Sequence, residues 1–450
     1  MHKTVVIDIV GLSSRLIGPH TPFLQKWVAS NTLQTITPML PAVTTAVQST
    51  YLTGQTPAGH GVVTNGWYNR TTCEIGFWKQ SNRLVQAEKI WERAKREDPS
   101  FTCANMFWWY NMYSSVDFSV TPRPNYLSDG RKIPDCYSHP ADLRDHLQKA
   151  LGTFPLFHFW GPGADIKSSA WIAKASMIVE EKYSPTLSLI YLPHLDYCLQ
   201  RHGHDDNKIA ADLSQIDDLV SELVGFFQQK NAHIVLLSEY GITPVHKPIH
   251  LNRIFREKGF IQVRTERGLE LLDPGASRAF AVADHQIAHI YLNDSSLTAE
   301  ITDILKNTPG VEKVLDEQGK KAYGLNHERA GDLVVVADQD SWFTYYYWLN
   351  DAQAPDFARL VDIHRKPGYD PVEMFMTSKL RAAYKLLRKK LGFRYLMDVI
   401  PLDATLIRGS HGRTDTPVED HPVLITQKAL DMPAVQATEV YEVIWNLLHR

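Results

Sequence analysis

The chain of 450 residues is close to neutral overall and rich in histidine. It has 47 Lys+Arg against 50 Asp+Glu, a net charge of −3, with 44% hydrophobic and 22% charged residues. This length and composition predict a globular protein of one large or a few ordinary domains and exclude a mainly disordered chain. Without a cationic excess, no specific nucleic-acid partner is expected.

Cysteine usage and the start of the chain bear on its cellular compartment. Cys73, Cys103, Cys136 and Cys198 include no CxxC pair, so neither a thiolate zinc site nor a disulfide framework is expected. The 19 histidines instead suggest imidazole and carboxylate ligands for any metal. The opening MHKTVVIDIVGL has no signal-peptide pattern, and no run of 18 apolar residues occurs. These features predict a soluble, cytoplasmic protein without a transmembrane segment.

Short strands rich in β-branched residues alternate with amphipathic helices along much of the chain. Strands are predicted at 3–10, 185–196, 232–239 and 332–338, and helices at 21–31, 44–53 and 208–229. This alternation predicts an α/β fold with a mostly parallel central sheet and helices on both faces.

Three carboxylates stand at or near the carboxyl ends of predicted strands. They are Asp8, Asp196 and Glu239. Ligands of such sheets bind beyond these strand ends. Carboxylates brought together there would repel one another unless cations neutralise them.

Two segments do not follow the alternation. Residues 67–170 are rich in Trp, Tyr, Pro and Gly and predict an inserted cap within a single domain spanning 1–450. Residues 379–395 place Leu and Tyr at helical spacing opposite Lys and Arg. Peripheral membrane contact is one interpretation of this segment. A solvated helix that packs one apolar face is the more common outcome.

Thr44 opens a run to Thr53 that can form a helix. A hydroxyl at a helix N-terminus experiences the positive end of the dipole and free N–H groups, which suits a nucleophile attacking an anion. Threonine is also a common N-cap. Its position alone therefore leaves both roles open.

Five segments together resemble the alkaline phosphatase superfamily. They are Asp8 in the first strand, PAVTTAVQSTYLTG, HGVVTNGWY, LPHLD and GSHG at 409–412. The chain is similar to the type I phosphodiesterase/nucleotide pyrophosphatase branch, which also includes phosphonoacetate hydrolases. The resemblance implies an alkaline phosphatase-like fold that binds two divalent metals, usually zinc. It further implies hydrolysis of a phosphodiester or pyrophosphate bond in a small phosphorylated substrate, through a phosphothreonine intermediate.

The resemblance also assigns roles to individual residues. Thr44 would be the nucleophile and would share a metal with Asp8. Asn65 would bind a phosphate oxygen. Asp196 and His411 would bind the other metal. Two ions about 3.5–4 Å apart can clamp the attacking and leaving oxygens of such a displacement.

Three positions depart from the family pattern. Gln200 stands where a histidine is expected four residues after Asp196, and Glu239 and Tyr240 replace an Asp-His pair. Glu239 can still bind a metal, but an amide is neutral and a phenol has a free pKa of about 10. The oxygen-rich set brings manganese and magnesium into consideration beside zinc, and leaves open one metal or none.

Other residues are candidates to replace the missing ligands. Asp284, His285, Asp362 and His364 come first, followed by His202, His204, His246, His250 and His289. For each of these residues, a hydrogen-bonded structural role in a loop or on the surface is more common than metal binding. Lys132, in the predicted cap, could bind a substrate anion, although a solvated lysine is more usual.

Two other functions are also consistent with the sequence. One is a phosphonate or phosphomonoester hydrolase. The other is a noncatalytic binding protein with a degenerate metal site, suggested by Gln200 and Tyr240. The leaving group, the metal and the oligomeric state are not specified by the sequence.

Overall fold

A computed structural model describes residues 1–129, 131–427 and 434–449, which form a large central sheet and a smaller second sheet. In spatial order, the nine strands of the central sheet are Ala434–Gln436, Thr32–Thr37, Val423–Thr426, His233–Leu237, Thr4–Ile9, Leu187–Leu192, Cys103–Met106, Phe118–Pro122 and Cys136–His139. Only Val423–Thr426 and Cys136–His139 run against the others. The predicted mostly parallel α/β fold is confirmed.

Within the described ranges, helices cover the central sheet and flank the second one. The α-helices are Pro22–Ser30, Thr44–Thr53, Pro57–His60, Ile90–Glu97, Ala141–Leu151, Ile166–Tyr183, His194–His202, Asp206–Gln229, Leu251–Glu257, Thr298–Lys306, Glu317–Ala322, Lys379–Lys390 and Val440–His449. The strand Thr4–Ile9 is buried along its whole length. Its largely apolar TVVIDI sequence suits a strand covered on both faces.

The second sheet has four antiparallel strands. In spatial order they are Ala279–Asp284, Ile287–Leu292, Leu333–Ala337 and Val311–Leu315. Its hydrophobic core includes the buried aromatic run from Trp342 to Trp348. The strand pairs outside both sheets are Gly66–Asn69 with Glu74–Phe77, Asn125–Tyr126 with Lys132–Ile133, Thr243–Pro244 with Gly409–Ser410, Lys247–Ile249 with Ser341–Phe343, and Gln262–Glu266 with Leu269–Asp273.

The structure corrects three details of the sequence prediction. Residues 67–170 are not one continuous cap, because 103–106, 118–122 and 136–139 are strands of the central sheet. These strands have only four or five residues, and the aromatic and proline-rich sequence around them obscures their pattern. The strand predicted at 332–338 belongs to the smaller sheet. The strand predicted at 185–196 ends at Leu192, so Asp196 lies on the following helix.

Candidate active site

Thr44 lies at the N-terminus of the helix Thr44–Thr53, at the centre of a buried polar cluster. Val43 occupies the N-cap position, and Thr44 is the first helical residue. The Thr44 hydroxyl is bonded to the Tyr240 hydroxyl at 3.0 Å. Thr44 and Tyr240 are both buried. The hydroxyl of Thr44 is therefore directed at the residues that follow the strand His233–Leu237.

Asp8 and Glu239 form a buried carboxylate pair that is bridged by Gln48. The Gln48 amide nitrogen donates to Glu239 Oε1 at 2.5 Å and to Asp8 Oδ2 at 3.4 Å. Its oxygen accepts from the Trp109 backbone N–H at 2.7 Å, which fixes the orientation of the amide.

The charge of this pair is unbalanced. Burial raises the pKa of Asp8 to about 7. Burial and then the charge of Asp8 raise the pKa of Glu239 well above its ordinary value. The two side chains therefore need a shared proton or a cation to be stable as a pair.

Asp196 and Gln200 are one turn apart on the helix His194–His202 and so lie on the same face. Gln200 Nε2 donates to Asp196 Oδ2 at 2.8 Å, while Gln200 Oε1 accepts from the Tyr369 hydroxyl at 2.9 Å. The Tyr240 hydroxyl donates to Asp196 Oδ1 at 3.4 Å. Burial raises the pKa of Asp196 to about 7.

His411 presents one ring nitrogen to Asp196. Its Nδ1 lies 2.7 Å from the Ala42 carbonyl, so Nδ1 carries the proton and Nε2 keeps a lone pair. Nε2 is 3.8 Å from Asp196 Oδ1. The His411 ring stacks on Tyr240, with centroids 3.5 Å apart. Burial holds the pKa of His411 well below its usual value, which keeps the imidazole neutral, as a metal ligand must be.

Asn65 is held in place by Asp284. Its backbone N–H donates to Asp284 Oδ2 at 2.9 Å, and its Nδ2 donates to Asp284 Oδ1 at 3.2 Å. Asn65 Oδ1 accepts from the Thr45 backbone N–H at 3.0 Å. Asp284 also lies 2.7 Å from His285 Nδ1. Because an amide nitrogen carries two N–H bonds, the second one can serve an oxyanion.

Six other predicted residues have partners outside this cluster. Asp362 accepts from Arg365 at 2.5 Å. His364 Nδ1 lies 3.3 Å from the carbonyl of Phe77. The Lys132 ammonium lies 5.9 Å from the centre of the Tyr126 ring. Three of the more remote histidines, His204, His250 and His289, have ring nitrogens bonded to Ile242, Thr344 and Gly331.

Two residues of the cluster escaped the sequence analysis. Gln48 lies one turn after Thr44, and that spacing could have placed it on the same face of the helix. Tyr369 comes from an irregular segment that precedes a 3-10 turn at Pro371–Met374. Its sequence gives no comparable signal.

The donor atoms of the cluster determine which divalent metal ions it could hold. Asp8 Oδ1 and Glu239 Oε2 are buried and have no hydrogen-bond donor among the described residues. Two carboxylates of this kind, with a nearby hydroxyl, fit one hard, oxygen-preferring cation. Asp196, Gln200 and His411 offer a weaker set for a second ion, because the amide carries no charge.

Two glutamine side chains lie among the possible metal-binding groups of this cluster. No group of three or more His, Cys, Asp or Glu side chains within 1–129, 131–427 and 434–449 is arranged to hold a metal ion. The amide nitrogens of Gln48 and Gln200 instead lie against the carboxylates. A metal would have to displace these amide contacts.

The fold is shared with solved structures of low sequence identity. Phosphonoacetate hydrolase from Sinorhizobium meliloti, in complex with phosphonoformate, aligns over 99% of this chain and 96% of its own with a TM-score of 0.63 and 16% identity. Murine ectonucleotide pyrophosphatase/phosphodiesterase 5, in complex with AMP, aligns over 100% and 95% with a TM-score of 0.60 and 14% identity. The architecture is therefore alkaline phosphatase-like.

Sequence comparison identifies the family. Residues 4–370 match the type I phosphodiesterase/nucleotide pyrophosphatase family, and the chain belongs to it. This confirms the family predicted from the sequence motifs. Membership of this metallohydrolase superfamily supports divalent metals in general.

Two curated yeast relatives are longer than this chain. An uncharacterized pyrophosphatase/phosphodiesterase of Schizosaccharomyces pombe is 23% identical over 267 residues, which are 57% of this chain and 45% of that protein. Ectonucleotide pyrophosphatase/phosphodiesterase 2 of Saccharomyces cerevisiae is 21% identical over 366 residues, which are 77% of this chain and 65% of that protein. The match thus spans about half to two thirds of these relatives.

Proposed function

We propose that this protein is a metal-dependent hydrolase that cleaves a phosphodiester or pyrophosphate bond in a small phosphorylated substrate, with Thr44 as the nucleophile. The observation that carries the proposal is the contact of the Thr44 hydroxyl with Tyr240 at a helix N-terminus. The positive end of the helix dipole at that terminus attracts the phosphoryl group and stabilises its developing charge.

The hydrogen-bond directions define a route for the Thr44 proton. Tyr240 has a single hydroxyl proton, which it donates to Asp196. Thr44 is then the donor in its contact with Tyr240. As Thr44 attacks phosphorus, its proton passes to the Tyr240 oxygen while the Tyr240 proton moves to Asp196. Asp196 Oδ1, which accepts the Tyr240 hydroxyl, is the proton acceptor at the end of this route.

Asn65 supplies a donor to a nonbridging phosphate oxygen. Its amide is oriented by Asp284 and by the Thr45 backbone N–H, so it needs little reorganisation during the reaction. Attack by Thr44 expels the leaving alcohol or phosphate and forms phosphothreonine. Water then hydrolyses this ester and restores the Thr44 hydroxyl.

Asp8, Glu239 and Thr44 would hold one divalent cation, and Asp196 and His411 a second. When bound, such ions stabilise the alkoxide of Thr44 and the charge on phosphoryl oxygens. Zinc is the metal suggested by the family, whereas the oxygen-rich ligands favour manganese or magnesium.

A noncatalytic binding function is the second candidate. It is favoured by Gln48 and Gln200, whose amides satisfy carboxylates that would otherwise bind metal. If these amide contacts persist in place of bound metal, the protein would bind phosphorylated ligands without hydrolysing them.

The test is hydrolysis of an aryl phosphodiester by protein loaded in turn with zinc, manganese or magnesium, beside a chelated sample. The proposal predicts metal-dependent turnover that is lost in Thr44→Ala and retained in Thr53→Ala. Thr53 is the matched control because it lies at the other end of the same helix and bonds only the Ser49 carbonyl and a neighbouring backbone N–H.

Parallel assays with an aryl phosphomonoester and phosphonoacetate separate the related hydrolase activities. Faster turnover of either one than of the diester would replace the proposed substrate class. Failure to turn over any of the three in the presence of every metal, with phosphate esters still bound, would favour the noncatalytic function.

A further inference from the structure

The segment from Met376 to Leu396 carries a concentration of exposed apolar side chains. Eight of the fifteen large hydrophobic residues exposed in the described ranges lie in it. Four of them, Leu380, Tyr384, Leu387 and Leu391, are between 54% and 83% exposed. Apolar side chains grouped in this way mark a surface that meets another apolar phase.

The four residues form one stripe on the solvent side of the helix Lys379–Lys390. Their spacing of four, three and four residues keeps them on one face. Ala382, on the opposite face, is the buried residue of this helix. The helix therefore packs on the protein through a small residue and turns its large apolar side chains outwards.

Cations border this apolar stripe. Residues 379–397 contain seven Lys or Arg and no Asp or Glu. The neighbouring Asp398 pairs with Arg381 and Lys385. Across the described part of the chain, the other five cations have no acidic partner within ion-pair distance; they are Lys379, Arg388, Lys389, Lys390 and Arg394.

We propose that the helix Lys379–Lys390, with the turn that follows it, docks on an anionic lipid surface. The apolar stripe would enter the headgroup boundary, while the flanking lysines and arginines contact the lipid phosphates. A second copy of the chain is a poorer occupant, because pairing two stripes would bring two sets of unpaired cations together. The docking would be peripheral, since no helix in the described ranges is long and apolar enough to cross a bilayer.

The experiment is co-sedimentation of the full chain with phosphatidylcholine vesicles that contain or lack phosphatidylglycerol. The proposal predicts binding about tenfold stronger to the anionic vesicles and weakened by salt. Leu387→Ser with Leu391→Ser should abolish it, and Arg388→Glu with Lys390→Glu, which flank the stripe on its two sides, should remove the lipid preference. Leu349→Ser, at a 53% exposed position elsewhere, should bind as wild type.

Three outcomes would overturn the proposal. They are absence of binding to anionic vesicles, equal binding to both vesicle types, and undiminished binding of the Leu387→Ser, Leu391→Ser protein. A dimer in light scattering that this variant dissociates would assign the stripe to self-association instead. Thermal melting of each variant verifies that it is folded.

Discussion

The Tyr240 hydroxyl lies 3.0 Å from Thr44 Oγ1 and 3.4 Å from Asp196 Oδ1. One phenol thus joins the proposed nucleophile to a buried carboxylate. The family pattern has an imidazole at this position, which would bind metal. A neutral tyrosine instead offers a hydrogen-bonded path, and its strongly raised pKa keeps it protonated.

Tyr240→Phe should lower turnover of an aryl phosphodiester about tenfold, because it removes a hydrogen bond of about 1.4 kcal/mol from the nucleophile. The loss should appear in kcat more than in KM, since the phenol contacts Thr44. Tyr291→Phe is the control, because it removes a buried hydroxyl bonded to the Arg329 carbonyl. Equal activity of the Tyr240→Phe and Tyr291→Phe proteins would remove the proton route.

Asp284→Asn should reduce kcat about tenfold or more by releasing the Asn65 amide from its orientation. The double variant Asp284→Asn, Asn65→Ala should be little slower than Asn65→Ala alone, because Asp284 acts through Asn65. Steady-state rates of the wild type, the two single variants and the double variant complete this double-mutant cycle. Independent, additive losses would show that Asp284 serves the reaction by another route.

Gln200→His should tighten zinc binding about tenfold or more, because it places an imidazole one turn from Asp196 and close to His411. Competition with a coloured chelator measures the change. Gln229→His, at an exposed helix end, controls for adding a histidine. An unchanged zinc affinity would mean that Gln200 is not at a metal position.

The stability of metal-free protein should fall as pH rises from about 4 to about 7. Burial raises the pKa of Asp8 from 3.8 to about 7, so in this window the folded state holds a proton that the unfolded chain releases. Stability falls with pH wherever the folded state binds more protons. Thermal melting in chelator should show a smaller fall for Asp8→Asn, whereas the exposed Asp142→Asn should behave as wild type. A fall of the same size in Asp8→Asn would contradict this assignment.

The parallel sheet was predictable from the sequence because its central strands have strong, uninterrupted patterns. TVVIDI and HIVLL are apolar apart from Thr4, Asp8 and His233, and both strands occur where they were predicted. The strands at 103–106 and 118–122 were missed because they are short and lie among aromatic and proline residues. The local sequence pattern does not reveal that residues 103–106 pair with Leu187–Leu192 inside the central sheet.

The candidate site was predictable only where a motif fixed the residue. Thr44 and Asp196 lie within recognisable sequence motifs, and in the structure both contact Tyr240. The amide contacts of Gln48 and Gln200 depend on Trp109 and Tyr369, which come from remote parts of the chain. The spacing of residues in sequence carries no information about such partners.

The most direct test of the central claim is detection of phosphorylated Thr44. Protein loaded with the most active metal is mixed with an aryl phosphodiester and quenched in acid during turnover, and its peptides are analysed by mass spectrometry. The account predicts a substrate-derived phosphoryl group on Thr44, with none on the same peptide from Thr44→Ala. Turnover by a Thr44→Ala protein at the wild-type rate would contradict it.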